Sequence, residues 1–188
     1  MKQLLSLTAA VALLASASVA TAETAAPYAG WQARGIKALS AQQIDDLAAG
    51  RGMSLALAAE LNGYPGPRHV LDLGTDLGLT AAQRAAFEAL FRQMQAEARR
   101  LGAAILAEEA ALDHTFSSGR ADEAALRERL AALGALQGDL RYVHLRSHLA
   151  ARALLSPAQL AEYSALRGYA AGDEPPAHGG HGHSPAQP

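Results

Sequence analysis

The 188-residue chain contains no cysteine. That excludes disulfide staples, thiolate metal sites, cysteine nucleophiles and Cys-x-x-Cys-His haem attachment, so packing alone must hold the fold. Aromatic residues are also scarce, at 5 % of a chain whose hydrophobic fraction is 50 %. Alanine carries much of that fraction. It favours helix but buries little area, which predicts a thin core built helix on helix. Lysine is nearly missing: of 16 basic residues only Lys2 and Lys37 are not arginine. A GC-rich codon bias accounts for this as well as any role in carboxylate recognition does. Long apolar runs are lacking too. The longest, Leu4 to Ala15, is broken by Ser6 and Thr8 and falls short of the roughly 20 residues that span a bilayer.

That short run reads as an export leader instead. Lys2 supplies a positive start and Ala20-Thr21-Ala22 the small residues of a cleavage site, placing cleavage before Glu23. Without Lys2 the formal charge is −3, too mild for nucleic acid to be a main partner. The mature chain has no candidate membrane span. No Gly-x-Ser-x-Gly, P-loop, Rossmann glycine pattern or His-Glu-x-x-His occurs, so neither an enzyme nor a required cofactor is expected.

Helical period dominates the remainder. Phe87, Leu90, Phe91, Met94, Leu101, Ile105, Leu112 and Phe116 step by threes and fours or their multiples. After Ser117-Ser118-Gly119 the pattern resumes through Leu126, Leu130, Leu133, Leu136, Leu140, Val143 and Leu154. This predicts an all-α fold: a long antiparallel hairpin with shorter flanking helices. Those helices are expected from Ser40 to Gly50, over about Ser54 to Leu61, after Pro67, and from Ser156 to about Tyr169. The expected organisation is a signal peptide over 1–22, a flexible segment over 23–38, a helical domain over 39–170 and a disordered His/Gly/Pro-rich tail over 171–188.

Two helix starts share one pattern, Leu79-Thr80-Ala81-Ala82-Gln83 and Leu155-Ser156-Pro157-Ala158-Gln159. Each is a capping box. The Thr80 or Ser156 hydroxyl accepts from the backbone N–H three residues on, while Gln83 or Gln159 reaches back to the cap's own N–H. Leu39-Ser40-Ala41-Gln42-Gln43 fits the same rule. The first two boxes, one opening the hairpin and one following it, resemble the LTxxQ signature of the Spy/CpxP family of periplasmic stress chaperones. The resemblance spans about Leu77 to Tyr169; Ser156 departs from the motif's threonine but keeps the cap. It implies a thin, curved homodimeric cradle in the periplasm that holds unfolded proteins without ATP, and an envelope-stress signalling protein as a further partner. Metal-responsive relatives of the ZraP and CnrX type imply zinc, copper or nickel as an alternative ligand.

Among single residues, His144 and His148 stand four apart on a predicted helix, close enough to share a metal. Glu108, Glu109 and Asp113 on the facing helix are candidates to complete that site. His178, His181 and His183 in the tail form a second metal candidate, whereas His69 and His114 read as structural or surface residues. Phe87, Phe91, Met94 and Phe116 are the candidate client contacts, methionine adapting to varied partners. Gly134, Gly138 and Gly102 suggest close backbone approach between helices. The segment from Met53 to Val70 has no counterpart in the resemblance.

Overall fold

A computed structural model describes residues 26–169. The expected leader and the tail, with His178, His181 and His183, lie outside the described residues. Two compact units divide the chain after Arg34. In the first, a single 3-10 turn, Trp31–Ala33, is held by its own aromatics: Tyr28 meets Trp31 edge to face and the Arg34 guanidinium lies 3.6 Å over the Trp31 ring.

Among the described residues the second unit is helix and turn. It comprises α1 (Ala41–Ala49), α2 (Leu57–Glu60), α3 (Pro67–Asp72), α4 (Ala81–Ser117), α5 (Glu123–Ala153) and α6 (Pro157–Leu166). The two long helices, about 55 Å and 46 Å at 1.5 Å per residue, form the hairpin expected from the period. Ser118, Gly119 at φ 68° and the Asp122 side-chain cap on Ala125 N–H make its turn. The expected second helix is shorter than the spacing suggested: only Leu57–Glu60 is α-helical. Met53 and Ser54, both at positive φ, bend the chain just ahead of it.

All three capping boxes close, and two of them join. Gln83 Nε2 donates to Gln159 Oε1 at 2.9 Å and Gln159 Nε2 donates back to Gln83 Oε1 at 3.2 Å. The same two amides also reach the Leu154 and Leu77 carbonyls. The start of α4 is thereby clasped to the start of α6. Beneath the clasp, Val70, Leu77, Phe87, Ala151, Leu155 and Tyr163 form one core cluster; Leu47, Met94, Ala98, Leu101, Ile105, Leu133, Leu140 and Val143 form another under α1. Gln83→Ala and Gln159→Ala should each cost about 1–2 kcal/mol. The double variant should cost less than the sum, because each amide loses the same partner; urea unfolding of the four proteins in that cycle measures the shortfall.

Candidate functional site

The Met53–Val70 segment contributes to a buried polar cluster around Glu60. Glu60, the last residue of α2, is 5 % exposed, and an isolated carboxylate so buried would cost several kcal/mol. It is not isolated. Gly66 N–H donates to Oε2 at 2.9 Å, the Tyr163 hydroxyl of α6 donates to Oε1, and His69 Nδ1 of α3 lies 3.1 Å from Oε1. Arg167 Nε stands 3.5 Å away and His148 Nδ1 3.7 Å. Burial by itself would raise the Glu60 pKa. The hydrogen bonds from His69 and Tyr163, the His69 charge and the Gly66 N–H outweigh it and bring the value down to about 2. Burial, with the Glu60 hydrogen bond and charge, drives the Tyr163 phenol the opposite way. Glu60 is thus ionised and Tyr163 protonated across neutral pH. The pair is a buried anchor joining α2, α3 and α6 rather than an acid and base poised to exchange a proton.

His144 and His148 of α5 lie beside this anchor, at 3 % and 8 % exposure. His148 Nδ1–H donates to the Tyr64 carbonyl at 2.7 Å, which fixes the orientation of the ring. A Cβ added at Gly66 would come within 3.1 Å of this ring, so a larger residue there would push the imidazole by a few tenths of an ångström. His144 Nε2 is buried and makes no hydrogen bond to any described residue. Burial, and after it the charge of His148, lowers the His144 pKa, keeping that imidazole neutral at pH 7. Both rings line a cavity of about 430 Å³ together with His69, Met94 and Phe91. The three candidate carboxylates lie elsewhere: Glu108 pairs with Arg129, Asp113 with Lys37, and Glu109 lines a separate cleft. The acid that does face them is Glu60. Among the described residues no three His, Asp or Glu side chains are grouped to hold a metal ion. Of the other histidines, His69 serves the anchor, and His114 Nε2 accepts from Arg120 near the hairpin turn.

The four candidate client contacts do not form one surface. Phe87 has no exposure and Met94 only 9 %; both are core residues, held there by the clasped helices and by α1, and neither is open to a client in this arrangement. Phe91 is half-buried, with the Arg68 guanidinium 5.8 Å over its ring. Phe116, at the far end of the hairpin, is exposed. The open apolar site lies instead between α1, the Met53–Leu55 bend and the hairpin. It is a cleft of about 500 Å³ walled by Leu39, Leu47, Met53, Leu55, Ile105 and Leu140, with Gly134 and Gly138 at one side and Gln43, Glu109, Gln137 and Arg141 as its polar lining. Sequence reading missed this cleft because its walls come from four separate stretches of chain. It missed Glu60 because one glutamate in a short apolar segment carries no pattern.

No helix of the described residues is long and apolar enough to cross a membrane. Comparison with family models, with curated proteins and with solved structures finds no match to this chain.

Proposed function

We propose that this chain is an exported, ATP-independent chaperone of the Spy/CpxP type, holding partly unfolded proteins by many weak apolar contacts. The observation that carries this reading is the open apolar cleft beside α1. A concave, mostly apolar site with a few polar groups at its margin is what a non-enzymatic binder of apolar segments requires. The clasp between the two capping boxes supports it, because it gives the repeated pentapeptide a shared architectural purpose. The leader-like N-terminus supports export.

The test is light scattering of an aggregating model client with metal-stripped protein, with and without added zinc. Protection without metal is expected. Met53→Glu and Leu55→Glu, which place carboxylates in the half-buried wall of the cleft, should abolish most of it while leaving the helical circular dichroism intact. Absence of protection in both conditions, or full protection by both variants, defeats the proposal.

A second reading is metal binding by His144 and His148, favoured by one observation. His144 Nε2 is buried without a hydrogen bond, and His148 is oriented through its other nitrogen by a backbone carbonyl, as metal-ligating histidines commonly are. Calorimetric titration with zinc, copper or nickel checks it. Under this reading binding survives removal of the residues after Ala171 and disappears in the His144→Ala/His148→Ala double variant. The reverse result assigns the metal to the tail histidines.

A further inference from the structure

We propose that Asn62 is a site of spontaneous covalent modification. Its side chain cyclises onto the Gly63 backbone nitrogen, sheds ammonia and leaves isoaspartate or aspartate in the loop that completes the Glu60 anchor. Asn62 is the single asparagine of the chain, and a glycine follows it. Glycine puts no side chain beside its own nitrogen and gives the backbone the freedom to close a five-membered ring. The fold keeps that nitrogen available. Asn62 is exposed in the turn after α2, and the Gly63 N–H donates to no backbone carbonyl among the described residues. Gly63 stands at φ 78°, and the nearest atom to a Cβ built there is Arg152 Nη1 at 3.4 Å.

The Gly63 nitrogen bonds to Asn62 Cγ as the Cγ–Nδ2 bond breaks, and Nδ2 departs as ammonia with the proton that Gly63 gives up. Water then opens the cyclic imide. Opening at Cγ yields aspartate; opening at the main-chain carbon of Asn62 yields isoaspartate, which routes the chain through Cβ and Cγ. Two contacts bear on the rate. The hydrogen bond from Asn62 Nδ2 to the Ala58 carbonyl, 2.8 Å long, must first be released, a modest cost at an exposed position. The Arg152 guanidinium, donating to the Gly63 carbonyl, sets a positive charge beside the nitrogen on which negative charge builds. The consequence falls on the anchor. Just downstream of Asn62, the Gly63 carbonyl holds Arg152, the Tyr64 carbonyl holds the His148 ring and the Gly66 N–H holds Glu60. One extra backbone carbon displaces these groups from their partners, whereas aspartate adds a charge and leaves the backbone length unchanged.

The test is to age the full chain at mildly alkaline pH and digest it with trypsin beside a fresh sample. The peptide released between Arg51 and Arg68 contains Asn62 and no other asparagine. It should gain one mass unit with time and become a methyl acceptor for a protein isoaspartyl methyltransferase, and Asn62→Gln should remove both signals. Because opening an exposed turn costs little, the rate in the folded protein should be at least about a tenth of that in the free synthetic peptide. A slower rate, or equal methyl acceptance by Asn62→Gln, overturns the proposal. The aged protein, collected by ion exchange through its added negative charge, should melt below Asn62→Asp, which carries the charge without the extra carbon. Equal melting of the two overturns the effect on the anchor.

Discussion

Glu60→Ala is expected to be among the most destabilising single substitutions in this protein, costing about 3–5 kcal/mol. The change does more than delete a side chain. It leaves the Tyr163 hydroxyl, the Gly66 N–H and the Arg167 guanidinium facing one another around a buried void where the carboxylate had received them all. For a chain of this size that corresponds to a fall in Tm of about 6–20 °C. Tyr163→Phe keeps the ring in the core and loses one hydrogen bond, so about 1–2 kcal/mol is expected. Stability should also follow pH through this group. Because the Glu60 pKa in the folded protein is held at about 2 against an ordinary 4.5, its contribution is fully present above pH 4.5. It is lost as pH falls from there toward 2, roughly 3 kcal/mol in all. Urea midpoints measured between pH 6 and 2.5 should drop steeply for the parent protein and less for Glu60→Gln. Equal slopes would mean that another carboxylate governs acid unfolding.

Gly102→Ala should be comparably severe, although alanine is by itself the better helix former by about 1 kcal/mol. A Cβ at Gly102 would lie 2.0 Å from the Leu47 carbonyl oxygen and 2.7 Å from its carbon. Backbone cannot yield as a flexible side chain does, so α1 must lift from α4, opening the cluster around Leu47, Ala98, Leu101 and Ile105. A net loss of about 3 kcal/mol is expected, at the upper end of overpacking costs. Gly134→Ala supplies the contrast. Nothing lies within 4 Å of a Cβ there, so the helix propensity gain of about 1 kcal/mol should appear undiminished. Thermal unfolding of the two variants side by side checks both signs. If Gly102→Ala proves neutral, α1 is not seated on α4 as described.

These two sites mark where sequence reading stops. The hairpin, the caps of α1, α4 and α6, and the proline start of α3 were legible because each depends on residues within one turn of one another: Thr80 with Gln83, Ser156 with Gln159, Pro67 alone. Period sufficed to find α4 and α5, but not to orient the glycines. Gly102, expected to allow close backbone approach between helices, does so against Leu47 of α1, whereas nothing lies within 4 Å of a Cβ at Gly134 or Gly138. Phe87 and Phe116 looked equivalent as periodic apolar positions, yet one is fully buried and the other open. Exposure depends on what covers a face: Phe87 is packed with Val70, Leu155 and Tyr163, whereas Phe116 is left open. Glu60 was invisible for a related reason. Its partners come from positions 66, 69, 148, 163 and 167, and no local spacing announces a meeting of that kind.

The clasp between Gln83 and Gln159 joins residues 76 positions apart, and this bears on when the molecule can become itself. A chain emerging with its N-terminus first exposes α1, α3 and most of α4 before anything exists to complete them. The long helices can begin to form locally as they appear, but Val70, Leu77 and Phe87 remain uncovered until Leu155 and Tyr163 arrive. Closure therefore waits for nearly the whole helical region, because both the amide exchange and the seating of Tyr163 on Glu60 require α6. A chain arranged in this way stays open on one side until its last helix has been made.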